Sequence, residues 1–421
     1  MWRTLVVGAL LCACSEKPRS VDASAPADVA PLPANVRAAL TKPTGTTDAD
    51  RAVLAEQDAV RRDLSKNDGW IALGNAWTRK ALETNDPAFW VNADACASVV
   101  LAKDPDHVAA ADLRSATLRA RREYREASQL AERITARHPA DASGWTNLTD
   151  AMLELGRYDE ANDAATKAMA LGPTPIAATR VARIRWLNGS IAEAKQTLVD
   201  VHDADARALL GMIAWNEGDY DGAEKAFDAA LTKSAGFPPA LEGKGRVAMA
   251  RGDWAGAVEM FQRAFERRPT VEGAWLLGDA REAAGDAKGA EEAYALVVKN
   301  AATDPRAYSL FLTTRKDRTK EQYSQALQLA SDVHVKQYDV YTEDALAWAL
   351  YRAGMADTAK PAMGRARKLH TPDARILFHE GAIRIAGGDV KKGKEVIAKA
   401  LAMNRAFDWR GAKEARELLT R

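Results

Sequence analysis

The chain has 421 residues, of which 28% are charged and 47% are hydrophobic, a composition typical of folded proteins. The 59 basic and 58 acidic side chains leave a formal net charge of +1, which excludes a strong overall field that would attract nucleic acid or an acidic membrane surface. Single globules rarely exceed about 250–300 residues, whereas an array of repeats has no such limit because each repeat contacts only its neighbours.

The N-terminus has the features of an export signal. Arg3 supplies a positive charge, residues 5–11 are apolar, and Ala13 places a small residue immediately before Cys14. This stretch resembles a bacterial lipoprotein signal, in which cleavage precedes the cysteine and lipid is attached to it. The resemblance implies that residues 1–13 are the signal, that Cys14 carries the lipid, and that the protein is anchored in the bacterial envelope, in the outer membrane facing the periplasm. An ordinary secretory signal and a coincidental apolar start remain alternatives.

Two further elements precede the main body of the chain. Residues 14–46 are predicted to be a disordered tether, because they are rich in Ser, Ala, Pro and Asp and poor in large apolar residues. Within the tether, residues 33–40 have a short helical pattern that is expected to dock only transiently. Residues 47–66 are predicted to form an N-terminal capping helix, begun by Thr47 or Asp48 as the N-cap. Its apolar residues lie on one side at helical spacing: Val53, Leu54, Val60 and Leu64.

A pattern of two amphipathic helices repeats over residues 67–405. A small residue recurs early in each second helix at intervals of 29 to 36 residues: Ala127, Ala161, Ala194, Ala223, Ala257, Ala290, Ala326, Ala359 and Gly393. A turn glycine follows the same period: Gly156, Gly189, Gly218, Gly252, Gly285, Gly354 and Gly388. A helical hairpin of this size cannot bury its apolar face alone, so the period predicts a stacked array.

One unit carries the fullest form of the motif, in Trp145, Leu148, Met152, Gly156, Tyr158, Ala161, Ala168 and Pro173. These residues and their spacing resemble the tetratricopeptide repeat (TPR) family. The resemblance implies an all-α, right-handed α-α superhelical solenoid of about ten TPR-like hairpins over residues 67–405. It also implies a C-terminal capping helix at 406–421, and first helices that line the inner surface. The family binds proteins or peptides, and the resemblance brings no catalytic residues.

Basic residues cluster around one hairpin turn, at Arg119, Arg121, Arg122 and Arg125. Such a cluster is usually a solvated face, and binding of an acidic partner segment is the alternative.

Two near-matches to catalytic motifs do not support an enzyme. Gly388 to Lys394 fits the phosphate-binding pattern G-x-x-x-x-G-K, but Glu395 follows where Ser or Thr would hold Mg²⁺. His379-Glu380 begins like a zinc-protease helix, but Ile383 stands where the second histidine is required. We therefore expect no catalytic residue, no metal and no cofactor.

A row of aromatic, methionine and charged residues is predicted to line the concave side and to hold the partner, because such side chains combine contact area with polar anchoring. The row comprises Arg183, Trp186, Met212, Trp215, Arg246, Met249, Trp275, Asp279, Asp344, Trp348 and Tyr351. The alternative is that these aromatics pack between successive first helices as core.

Together these patterns predict a protein–protein interaction scaffold, lipid-anchored in the cell envelope, that binds partner proteins or extended peptides in its concave groove. The alternative function is a periplasmic chaperone or an accessory subunit of a secretion or export machine. Neither nucleic acid nor a small-molecule substrate is expected as a partner.

Overall fold

The computed structural model describes residues 32–420, and the predicted signal, Cys14 and the first part of the predicted tether lie outside these residues. The described range contains 23 α-helices and no strand. None of its helices is long and apolar enough to cross a bilayer. The helices are α1 (Ala34–Ala39), α2 (Asp48–Arg62), α3 (Asn67–Thr84), α4 (Pro87–Leu101), α5 (Val108–Ala120), α6 (Tyr124–Arg137), α7 (Ala142–Glu154), α8 (Tyr158–Leu171), α9 (Pro175–Leu187), α10 (Ile191–Leu198), α11 (Ala204–Asn216), α12 (Tyr220–Lys233), α13 (Pro238–Arg251), α14 (Trp254–Arg267), α15 (Val271–Ala283), α16 (Ala287–Lys299), α17 (Pro305–Thr314), α18 (Lys320–His334), α19 (Val340–Arg352), α20 (Ala356–Ala366), α21 (Ala374–Ala386), α22 (Val390–Met403) and α23 (Trp409–Thr420).

Helices α3 to α22 form ten hairpins that stack in sequence order. Within each hairpin the two helices pack on each other, and the second helix packs on the first helix of the next hairpin, except that α16 and α17 meet through the short 3-10 turn Ala301–Thr303. Most first helices also pack on the first helices of neighbouring hairpins, so they form the inner layer of the array. The predicted all-α solenoid of about ten hairpins is confirmed.

The residue types that defined the sequence period explain how the helices approach each other. Ala161, Ala223, Ala257 and Ala326 have no exposed surface, because each lies where two helices touch. The seven predicted turn glycines all have positive φ, between 68° and 90°, a region that glycine enters without steric cost. In the α5–α6 turn this conformation is taken by Arg122, with φ 60°.

Helix α2 begins at a capping box. The Thr47 hydroxyl accepts a hydrogen bond from the Asp50 amide, and the Asp50 carboxylate accepts one from the Thr47 amide at 2.9 Å. Asp50 also forms an ion pair with Lys80 of α3, and both side chains are buried. This pair fixes α2 on the first hairpin.

The described part of the predicted tether differs from the disordered stretch that the sequence favoured. Helix α1 packs on α4 and buries Val36 and Ala39. The Ala39 carbonyl accepts a hydrogen bond from Trp77 Nε1 at 2.9 Å, and the Ala38 carbonyl accepts one from Asn92 at 2.6 Å. Trp77 thereby satisfies a carbonyl group that the short helix leaves free at its C-terminal end, whereas the Ala38 carbonyl also accepts from the Thr41 amide at 3.2 Å. The helical pattern at residues 33–40 indicated a short helix here, although the composition of the surrounding stretch favoured disorder.

The array contacts itself again after five to six repeats, along a line of hydrogen bonds that we term the inter-turn seam. The Tyr338 amide donates to the Glu154 carbonyl at 3.0 Å, and the Thr371 hydroxyl donates to the Leu187 carbonyl at 2.8 Å. Three more bonds cross the seam: Val340 N to the Tyr158 hydroxyl, Asn404 Nδ2 to the Trp215 carbonyl, and Asn85 Nδ2 to the Pro269 carbonyl. The seam therefore joins hairpin turns and helix ends of the first half to linkers between repeats of the second half.

Most of the basic cluster at the α5–α6 turn is engaged by carboxylates of the same chain. Arg122 reaches across the seam to Asp304 at 2.8 Å, and Arg125 lies 3.2 Å from the Tyr338 hydroxyl. Arg119 pairs with Asp150 at 2.9 Å and Arg121 with Glu123 at 2.8 Å. The cluster is thus neither a fully solvated face nor a free site for an acidic partner.

Alanine substitutions at two turn glycines, one at the seam and one away from it, test how much the seam contributes to stability. A Cβ at Gly156 would lie 2.5 Å from the Tyr338 carbonyl oxygen, whereas a Cβ at Gly285 would meet nothing within 4 Å. Both have positive φ, so alanine at either site carries a backbone cost of roughly 1–2 kcal/mol. We predict that Gly156→Ala lowers the free energy of unfolding by about 1–3 kcal/mol more than Gly285→Ala, because it also overpacks the seam. Equal losses in urea denaturation would mean that the seam is not closed in solution.

Candidate functional site

The upstream members of the predicted groove are incorporated into helix packing beside the seam. Trp186 is only 8% exposed and belongs to an apolar cluster that includes Val340 from the other side of the seam. Arg183 is more exposed and faces Glu154 at 3.8 Å. Met212 is half-buried in the cluster formed around Trp215. These three residues therefore do not form an open groove.

The downstream members lie on α19, whose Trp348 is buried in one apolar cluster with residues of α21 and the C-terminal helix α23. Trp348 is 1% exposed, stacks on His379 with ring centres 3.9 Å apart, and carries the Arg352 guanidinium over its ring. Asp344 is fully buried and lies 2.8 Å from Nδ1 of the same histidine. Tyr351 is half-buried at the edge of the cluster that includes α23. At this end Trp348 is buried between helices, and Tyr351 lies at the edge of the same cluster.

Helix α23 is held on the inner layer by ion pairs with three consecutive repeats. Arg410 pairs with both Asp279 and Glu282 of α15. Glu417 pairs at 2.7 Å with Lys316, which follows α17, and Glu414 pairs at 2.6 Å with Arg352 of α19. The Arg352–Glu414 pair is largely buried, so removing either partner would leave an uncompensated charge. The C-terminal helix therefore occupies the inner surface that an extended peptide would otherwise follow.

Five members of the predicted row converge on one cavity of about 380 Å³. They are Trp215, Arg246, Met249, Trp275 and Asp279, from the first helices α11, α13 and α15. This volume lies at the lower end of the roughly 300–1,000 Å³ typical of ligand pockets. The cavity is therefore the part of the predicted groove that remains available to a ligand.

The opposite wall was missed by sequence reasoning. It consists of Arg375 on α21, Phe407 and Asp408 in the linker, and Trp409 and Lys413 on α23. Helix α23 was expected only to cap the array with one solvated face. The aromatic and basic stretch at residues 405–410 is the signal that could have indicated a binding surface, because aromatic and arginine side chains are enriched at interfaces.

The acidic residue that lines the cavity, Asp279, is buried and constrained by two partners. The Tyr294 hydroxyl lies 2.7 Å from its Oδ1 and the Arg410 Nε lies 3.3 Å from the same oxygen. Burial raises the pKa of Asp279 to about 6, against the opposing effect of Arg410. Asp279 therefore anchors α23 to α15 and is not free to bind a partner.

A second carboxyl group with a raised pKa, that of Glu242, lies on α13 outside the lining of the cavity. Burial, reinforced by the nearby Glu272 carboxylate, raises the pKa of Glu242 to about 7. Arg268 lies 3.9 Å away and opposes this shift. Glu272 pairs with Arg246 at 2.6 Å. Because Arg246 is bound to Glu272, it stabilises the ionised form of Glu242 less.

The cavity has no arrangement suited to a metal. Over residues 32–420 no group of three or more His, Cys, Asp or Glu side chains is placed to hold an ion. Cys96 is buried, and its pKa lies well above the ordinary thiol range because of that burial. The cavity offers aromatic surface and fixed charge, which suit recognition of a ligand.

The family model described as "Tetratricopeptide repeat" matches residues 115–176, 181–238 and 243–305. The comparison with curated proteins found no match. The matched segments include the helices that supply Trp215, Arg246 and Trp275 to the cavity.

Several solved structures are similar to the chain at low identity. The APC/C hetero-tetramer Cut9-Hcn1 is 17% identical over 89% of this chain, with a TM-score of 0.45, and the chain spans only 59% of the length of that relative. Human IFIT1, solved as a dimer with PPP-AAAA, is 13% identical over 87% of this chain and 99% of its own, with a TM-score of 0.48. PilW, a type IV pilus biogenesis factor, is 18% identical over 47% of this chain and 94% of its own, with a TM-score of 0.39.

The raised pKa of Glu242 predicts a pH-dependent stability with a defined sign. Between about pH 4.5 and pH 7 the folded chain retains a proton that the unfolded chain has lost, so stability falls as pH rises through this window. Glu242→Gln removes this penalty, which is at most about 3 kcal/mol. We expect its melting temperature to exceed that of the parent at pH 8 and to match it at pH 4.5.

The matched control is Glu259→Gln, which removes an exposed carboxylate on α14. Its melting temperature should differ from that of the parent by the same small amount at both pH values. A Glu242→Gln variant that behaves like this control would contradict the assigned burial of Glu242.

Proposed function

Residues 115–305 carry tetratricopeptide repeats, and from this premise we propose that the protein is an interaction scaffold that holds a partner protein at the cavity between α13, α15 and α23. Repeats of this family are typically non-catalytic and bind protein or peptide partners. The observation that carries the proposal is the convergence of five predicted groove residues on one half-open cavity. Large aromatic side chains with nearby charges are the residues that dominate binding energy at protein interfaces.

The proposal includes a location in the cell envelope. Its support is the lipoprotein-like sequence at residues 1–14, which would attach lipid to Cys14 and hold the repeats at a membrane. A location on the outer membrane, facing the periplasm, is the form of this proposal that we favour. The absence of a nucleic-acid partner remains an expectation from the balanced charge.

The second candidate function is a periplasmic chaperone or an accessory subunit of a secretion or export machine. It differs from the first in what is captured: a chaperone binds many unfolded clients, whereas a scaffold binds one folded partner in a fixed ratio. The small volume of the cavity favours the scaffold, because broad client binding uses large adaptable surfaces.

A photo-crosslinking amino acid at Met249 tests the proposed site in cells. Met249 is half-buried and lines the cavity, so it tolerates substitution better than Trp215 or Trp275, which are each 5% exposed. Alanine at both tryptophans, which the sequence alone would suggest as a binding test, is now expected to unfold the neighbouring repeats. We expect the Met249 position to yield one discrete crosslinked protein, identified by mass spectrometry.

The matched control places the same crosslinker at Lys225, an exposed position on the second helix α12. We expect no discrete crosslinked product at this position. Equal products at both positions would contradict the cavity as the binding site. Many products at Met249 would favour the chaperone.

In the same cells, Cys14→Ser should release the protein from the membrane fraction, and unchanged fractionation would overturn the lipid anchor.

A further inference from the structure

The cavity has an apolar wall and a basic rim. Trp254, Trp275, Phe407 and Trp409 supply most of its aromatic surface. At the rim stand Arg405, Lys413 and Arg416, all with exposed side chains. A ligand that fills this space therefore meets apolar surface at depth and positive charge at the opening.

The positive charge at the rim is not neutralised within the part of the chain that the structure describes. None of the ion pairs of residues 32–420 involves the three rim cations, and Arg416 donates only to the Arg405 carbonyl at 3.1 Å. The carboxylates of the lining are already engaged by other groups: Glu272 by Arg246, Asp279 by Arg410, and Asp408 by the Gly411 amide. An arriving carboxylate would therefore meet cations without competition from the chain's own acids.

The surroundings limit how a polypeptide could enter. Towards the C-terminus, α23 covers the inner layer and is fixed there by Glu414 and Glu417. Towards the N-terminus, the seam closes beside Trp215, whose carbonyl accepts from Asn404 at 2.6 Å. An extended segment cannot continue past the cavity in either direction, so only one side chain and its immediate flanks can enter.

We propose that the partner presents an internal acidic segment with one large apolar side chain, which enters the cavity while flanking Asp or Glu residues reach Arg405, Lys413 and Arg416. The inference rests on the proposed scaffold function and names the chemistry of its partner. Burial of the apolar side chain supplies most of the affinity, and the rim charges orient the segment and speed its association. The C-terminal helix is then half of the binding site as well as the cap of the solenoid.

Blocked pentapeptides test this chemistry on the purified full-length chain. The probe has a central Phe flanked on each side by two acidic residues, and its acetylated and amidated ends carry no terminal charge. We expect it to bind at least tenfold more tightly than a counterpart with Asn and Gln in place of the acids. Its affinity should likewise exceed that of a counterpart with Ala in place of Phe. Equal affinities in fluorescence anisotropy for all three would overturn the proposal, as would tighter binding of the free acid phenylacetate than of the probe.

A charge reversal at the rim supplies the second arm. The double variant Lys413→Glu with Arg416→Glu should bind the acidic probe at least tenfold more weakly and should bind a probe with Lys in place of the acids more tightly. We expect it to fold, because both side chains are exposed and make no ion pair that folding needs. The matched control is Lys391→Glu with Lys392→Glu, which changes the same charge at exposed positions on α22. Loss of binding in both double variants would assign the effect to net charge and contradict the rim.

The two proposals fail in distinguishable ways. If the Met249 crosslink in cells persists in the rim double variant, a partner binds at the cavity without the acidic recognition, and this inference is wrong while the scaffold function stands. If Met249 yields no crosslinked partner and the acidic probe does not bind, both are wrong. Loss of the crosslink in the rim variant, with retention in the α22 control, is the result that we expect.

Discussion

The structure depends on the inter-turn seam, where the chain contacts itself about 184 residues further along. A solenoid held only by contacts between adjacent repeats can stretch and twist, because each repeat contacts only its neighbours. Here main-chain groups at Glu154, Leu187 and Trp215 accept hydrogen bonds from the second half of the array. At Glu154 and Leu187 these bonds satisfy carbonyl groups at helix ends that would otherwise need water, whereas the Trp215 carbonyl also accepts from the Gly218 amide at 3.0 Å. The seam therefore converts a chain of local contacts into a structure with long-range constraints.

This constraint determines which surface is left for binding. The seam buries Trp186 and its neighbours, and α23 covers Trp348, so both ends of the inner layer are closed. Between them lies the cavity that contains Trp215 and Trp275 in its wall. Because the two ends are closed by the chain itself, recognition at this site depends on a single deep contact with a charged rim. The C-terminal helix thus combines a capping role with a share of the proposed binding site.

The sequence predicted the local structure well, because local structure follows from residue type and period. Gly156 was predicted as a turn residue and has the positive φ that the turn requires. What the period could not reveal is that Gly156 also lies against Tyr338, since that contact depends on small rotations accumulated over five repeats. Trp186 and Trp348 show a second limit: an aromatic residue on a first helix has the same pattern whether it faces a groove or the core. For this reason the sequence could not decide which members of the row are buried between helices and which line the cavity.

The most direct test of the account is amide hydrogen exchange at Tyr338, measured on peptides that cover residues 336–341. This amide lies in a linker between α18 and α19, and its hydrogen-bond acceptor is the Glu154 carbonyl across the seam at 3.0 Å. If the seam is closed in solution, the Tyr338 amide exchanges as slowly as the helical amides beside it. Exchange at the rate of an unstructured linker would show that the turns are separate, and the closed binding surface described above would no longer follow.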